Sequence, residues 1–121
     1  YEKFAAVAEK YSGLQYDIKS DYIAIIALSP NDLVREGQIL EHCVGRMNYD
    51  QKFVREESLI FFIRTKEAPN TPLVTVKYSP SRKKILQCYG KNDSTPNDNI
   101  LEFVNKKWLP FANRQLKKIA A

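Results

Sequence analysis

The sequence predicts a single α+β domain, an antiparallel sheet covered by helices in the order α-β-β-α-β-β-β-α, and three observations carry that expectation. Two segments, Ser29-Pro30-Asn31-Asp32 and Thr95-Pro96-Asn97-Asp98, carry the same helix-start punctuation. Between them Ser58–Arg64 reads SLIFFIR, apolar at successive positions as a central strand covered on both faces requires. After it, Leu73–Tyr78 and Lys84–Tyr89 alternate with a period of two. A chain of 121 residues suits one domain with its own core.

The elements follow in order. Residues 2–11 are rich in helix formers and stop at Ser12-Gly13. Leu14–Ile18 and Tyr22–Leu28 flank the polar Lys19-Ser20-Asp21 and read as a hairpin. Next, a hydroxyl at the N-cap, proline at the first helical position and a carboxylate at the third satisfy orphan amides and the helix dipole, so a helix runs from Pro30 to Cys43. Arg46–Glu57 has no clean period and reads as a short helix or an ordered loop. The three strands that follow form a meander, with Ala68–Pro72 and Pro80–Lys83 as its turns. The closing helix spans Pro96 to Ile119; Pro110 lacks the amide that would bond the carbonyl of Lys106, so a kink or a break is expected there.

Composition excludes several classes. Hydrophobic residues make up 44% and the longest apolar runs are far too short to cross a bilayer, so no membrane partner is expected. The chain opens at Tyr1 without a methionine or a secretory leader and reads as part of a longer protein. Two cysteines give no disulfide framework and fit a reducing cytoplasm. A Gly-rich phosphate loop, a Rossmann fingerprint and paired carboxylates are all missing, so no cofactor is expected. A zinc site from His42, Cys43 and Cys88 lacks both the usual spacer and a fourth ligand, so no metal is expected.

Charge is lopsided. Residues 1–81 carry 10 Lys/Arg against 11 Asp/Glu, whereas residues 82–121 carry 9 against 3. Arg82, Lys83 and Lys84 lie in a turn; Lys106, Lys107, Arg114, Lys117 and Lys118 lie mostly off the apolar stripe of the closing helix. Such a set suits the phosphates of DNA or RNA without reading bases; a solvated helix face is the plainer alternative.

The only histidine adjoins a cysteine. On the first capped helix Leu33, Glu36, Leu40, Cys43 and Val44 share one face, which assigns Cys43 to the core, while His42 lies about 100° further round. Neighbours on a regular helix make a poor dyad, and a helix C-terminus raises a thiol's pKa, so Cys43 is a nucleophile only if the helix ends before Leu40. His42 is the better candidate, with capping of the helix end as its structural alternative. A cluster of His42, Thr75 and Gln87, joined by Tyr49 and Asn92, would form a polar pocket with His42 as acid or base. In the alternative, Thr75 and Gln87 only line a solvated sheet face.

Glu36-Gly37 through His42-Cys43-Val44-Gly45, followed by Tyr49, resembles the signature of the PcfJ-like proteins of conjugative plasmids and phages. The resemblance runs from about Leu28 to Leu109, through the Thr75 strand, Gln87, Gly90 and Asn92 to Phe103 and Trp108. It implies a bacterial or mobile-element setting and brings no established reaction; as part of a longer protein, the domain is expected to have other domains of the same chain as partners. Family members often place a glycine before the central strand, where this chain has Glu56-Glu57-Ser58.

Overall fold

The structure, a computed structural model, describes residues 1–42 and 48–120. Its centre is a four-stranded antiparallel sheet in which each strand neighbours the next in sequence: β1 (Tyr22–Ile26), β2 (Leu59–Thr65), β3 (Val74–Ser79) and β4 (Lys84–Tyr89). The α+β class and the order of elements stand as expected. β2 runs between β1 and β3 with Leu59 through Arg64 all buried, as the unbroken apolar run requires.

The N-terminal hairpin is present in reduced form. Ser12–Leu14 winds into a 3-10 turn, and the first arm pairs with β1 only at the bridge Tyr16↔Ala24. The Gln15 side chain takes the place of a ladder bond, its Oε1 accepting the Ile26 amide at 3.1 Å. The turn leaves the Leu14 carbonyl free for the indole Nε1–H of buried Trp108, 2.8 Å away.

Helices cover both faces of the sheet. Trp108 packs against Phe61 and Tyr78, with ring centroids 4.8 and 5.4 Å apart, so the closing helical segment covers one face. On the other face lie α2 (Pro30–Leu40) and α3 (Tyr49–Val54), the short helix expected between Arg46 and Glu57. α1 (Glu2–Lys10) braces α3 through Phe4 and Phe53, whose rings stack at 3.9 Å.

The closing segment starts later than expected. Asn97, not Thr95, caps α4 (Asp98–Glu102), its Oδ1 accepting the Ile100 amide at 2.9 Å. A π-helical turn, Phe103–Trp108, then leads into α5 (Leu109–Ala120). There the Leu109 amide reaches back to the Val104 carbonyl, five residues away. The widened turn precedes Pro110, whose missing N–H and bulky ring a regular turn would accommodate poorly.

Just before β2, Glu56 takes a conformation unusual for a residue with a side chain. Its φ of 62° lies in the left-handed region that favours glycine. Two bonds hold it there: Tyr11 Oη donates to Glu56 Oε1 at 2.6 Å and Lys10 Nζ at 2.7 Å. Those hydrogen bonds from Lys10 and Tyr11 hold the Glu56 carboxyl below its ordinary range. Among the described residues no helix is long and apolar enough to cross a membrane.

Candidate functional site

α2 begins as its sequence dictates, with the Ser29 hydroxyl accepting the Asp32 amide and Pro30 in the first turn. It ends three residues sooner than expected. Glu41 turns left-handed at φ 54° and the His42 amide bonds the Gly37 carbonyl at 3.2 Å, a Schellman closure made with glutamate where glycine is usual. His42 therefore does not ride on the helix flank or cap its end. The closure delivers it to the sheet, 5% exposed, with Nε2 2.8 Å from Thr75 Oγ1. Cys43, expected in the core or as a nucleophile, lies outside the described residues.

On β3, Thr75 and Lys77 face α2 and α3 while Val74, Val76 and Tyr78 face the other way into the core. Tyr49, first residue of α3, is buried and its Oη donates to Gln87 Oε1 at 3.1 Å. Strict alternation on β4 puts Ile85 and Gln87 on one face; the structure separates them. A bulge sets Gln87 opposite Lys77 but Ile85 opposite Tyr78, with Leu86 as the extra residue. Gln87 and Tyr89 then share the His42 face, whereas Ile85 packs against the core.

His42, Tyr49, Thr75 and Gln87 thus meet at one cleft, with Ile60, Lys77, Tyr89 and Asp93 completing its walls. The enclosed space is about 20 Å³, room for roughly one water. Burial pushes the His42 pKa below its ordinary value, against the opposing pull of its own backbone and of Asp93. Near neutral pH the ring is uncharged, one nitrogen a donor and the other an acceptor. Nδ1 has no partner among the described residues. Thr75 is buried and Gln87 half-buried, so neither lines a merely solvated face. Asn92 is exposed in a 3-10 turn and does not line the cleft; its neighbour Asp93 does. Cys88 is a free thiol opposite Val76 on the other face, where burial raises its pKa to about 11. The sheet therefore separates it from His42, against a shared zinc site. No cluster of three His, Cys, Asp or Glu suited to a metal occurs among the described residues.

Lys77, Asp93 and Tyr89 were not singled out by sequence reasoning, nor was the buried pair Glu36–Arg64. The pair's signal is visible in hindsight: Glu36 interrupts the stripe between Leu33 and Leu40, and Arg64 ends an apolar strand. Arg64 Nη1 donates to Glu36 Oε2 at 3.0 Å and Nη2 to Oε1 at 2.5 Å, tying α2 to β2. Burial pushes the Glu36 carboxyl up, with Arg64 opposing.

The basic residues form a second candidate. All eight, Arg82, Lys83, Lys84, Lys106, Lys107, Arg114, Lys117 and Lys118, are exposed. The exposed ion pairs of the described residues are Lys10–Glu56, Arg35–Asp32, Arg55–Glu57 and Lys66–Asp17, so none involves these eight. No carboxylate side chain follows Glu102. Asn113 joins the basic turn to α5: Tyr78 Oη donates to its Oδ1 at 2.6 Å, and its Nδ2 donates to the Lys83 carbonyl at 3.1 Å. This surface covers the sheet face opposite the His42 cleft. A groove of about 710 Å³ runs between the β1 entrance and the closing segment; Lys19, Lys66 and Lys107 there are interleaved with Asp21 and Glu102. Its charges largely cancel, and it gathers no buried titratable group.

Fold and site together describe a sheet domain marked by a His42 motif, and comparison with known proteins identifies its class. The chain belongs to the PcfJ-like protein family, whose sequence model matches residues 2–104. That match contains every residue of the cleft and ends before Lys106. Among curated proteins, the chain is similar to an uncharacterised protein of Listeria innocua serovar 6a, 32% identical over 97 residues. The alignment covers 80% of this chain and 21% of that protein, so the chain spans about a fifth of its relative's length. No solved structure matches.

Proposed function

We propose that this domain is an accessory module of a bacterial mobile-element protein that binds DNA or RNA through its C-terminal basic face. One observation carries the reading: eight exposed cations lie on the β3–β4 turn and the closing helical segment with no carboxylate within ion-pair distance among the described residues. Elsewhere among the described residues, the exposed cations Lys10, Arg35, Arg55 and Lys66 have acidic partners, whereas Lys3, Lys19 and Lys91 stand scattered along the chain. Cations without acidic partners neutralise phosphates and release counterions, giving sequence-independent, salt-sensitive affinity; of the eight, Lys107 also lines the groove that holds Asp21 and Glu102. PcfJ-like membership supports the plasmid or phage setting, and the low cysteine count supports a cytoplasmic location. Retention on an immobilised nucleic acid, measured against salt, tests the reading. Replacing Lys106, Lys107, Lys117 and Lys118 with Ala is expected to shift elution to lower salt; unchanged retention refutes it.

A second reading is favoured by the convergence of His42, Thr75, Tyr49 and Gln87: a catalytic or ligand site in which neutral His42 acts as acid or base. His42→Gln and Gln87→Ala, compared by thermal melting, separate the roles. A site made for chemistry tolerates both with little loss of stability, whereas large losses in both assign these residues to the scaffold.

A further inference from the structure

Resting on the nucleic-acid reading, we propose that the basic surface is a preassembled two-armed cradle for the backbone of double-stranded nucleic acid, and that Asn113 is the residue that positions its arms. One arm is the turn carrying Arg82, Lys83 and Lys84; the other is α5 with Arg114, Lys117 and Lys118.

The turn is set before any ligand arrives. Ser79 Oγ accepts the Arg82 amide at 3.1 Å, the Ser79 carbonyl accepts the Lys83 amide at 2.8 Å, and Lys83 sits left-handed at φ 58°. Asn113 then fastens the turn to α5, using one end of its amide on the Lys83 carbonyl and the other on the hydroxyl of Tyr78. Tyr78 is fully buried and packed on Trp108, so the anchor is core rather than surface. An amide with both ends engaged, one on the core and one on an exposed turn, holds six cations in a fixed relation. Such preorganisation removes the ordering cost of binding.

The chemistry of the surface selects the form of the partner. Single strands are held by bases stacked on exposed aromatic rings as well as by cations. The exposed aromatic side chains among the described residues are Tyr1 and Tyr89, and neither lies on this surface. Phe111 on α5 is engaged edge-on by Tyr16, with centroids 5.1 Å apart. Cations without a stacking platform suit the phosphate rows of a duplex, whose bases are already stacked.

Fluorescence anisotropy with a short DNA duplex, the matching RNA duplex and one single strand tests this. The duplexes are expected to bind at least about fivefold more tightly than the single strand, since stacking contributes nothing here. Preference for one duplex identifies the source and leaves the proposal standing. Asn113→Ala changes no charge, yet is expected to weaken duplex binding several-fold. It should also reduce the slope of log affinity against log salt by about 2 to 3, as the three turn cations drop out. Tyr78→Phe, which removes only the anchoring hydroxyl, should move both readouts in the same direction and serves if Asn113→Ala does not fold. A single strand bound as tightly as the duplexes overturns the partner class. Unchanged affinity and slope in both variants overturn the role of Asn113, even if the lysine replacements abolish binding. A wild-type protein that binds the single strand but no duplex overturns this proposal alone, and one that binds neither overturns its foundation as well.

Discussion

Arg64 lays both arms of its guanidinium fork on the carboxylate of Glu36, with both side chains almost wholly removed from solvent. Breaking such a pair leaves one buried group unmatched. Glu36→Ala and Arg64→Ala are each expected to cost about 3–5 kcal/mol in urea denaturation. The double replacement Glu36→Leu with Arg64→Met should recover most of that loss, because it removes the desolvation cost along with the attraction. A double variant as unstable as the singles would contradict this.

At Glu56 the backbone and the side chain pull in opposite directions. Ala keeps the left-handed strain and loses the bonds to Tyr11 and Lys10, whereas Gly loses the bonds but relieves the strain. Glu56→Ala should therefore be less stable than Glu56→Gly by about 1 kcal/mol. Equal stabilities would show that the strain is absorbed elsewhere.

His42 is the only histidine, so its titration can be followed directly by NMR. Its folded pKa is lowered by burial, which means the unfolded chain binds more protons in the titration window. Its stabilising contribution is thus complete above about pH 6.5 and is lost as pH falls through the lower folded value. Glu36, raised by burial, contributes with the opposite sign: its term is present below its unfolded pKa and fades as pH rises. Melting temperature followed from about pH 7 to about pH 5 should fall more for the wild type than for His42→Gln. Parallel curves would exclude a buried neutral imidazole.

The cap of α4 distinguishes two adjacent polar residues. Asn97→Ala should lower stability by about 1 kcal/mol, while Thr95→Ala, exposed and without a role in the cap, should stay within about 0.5 kcal/mol of wild type. The reverse ranking would restore Thr95 as the start of the helix.

Where a feature depends on short-range pattern, the sequence was a sound guide. Ser29 caps α2 as its spacing from Asp32 requires, and SLIFFIR forms the buried central strand. Features set by tertiary contacts were not legible. Nothing local marks Glu41 as the end of α2, because glutamate ordinarily continues a helix; the Schellman bond to Gly37 and the buried seat of His42 stop it. The β4 bulge is equally silent, since Leu86 suits either face. His42, Thr75, Tyr49 and Gln87 could still be gathered, because each is a polar residue on or beside an otherwise apolar element. Glu36 and Arg64 met the same criterion and were overlooked as a pair because 28 residues separate them.

The stacked rings of Phe4 and Phe53 set a practical limit on how far the domain can be trimmed. Phe53 stands one turn along from Tyr49 on the same short helix, which is too brief to hold its place unaided. A chain shortened to begin beyond Lys10 would strip one side from that helix, and the hydroxyl of Tyr49 would lose its fixed aim at Gln87. The first ten residues, remote in sequence from the histidine motif, act as a buttress for its far wall.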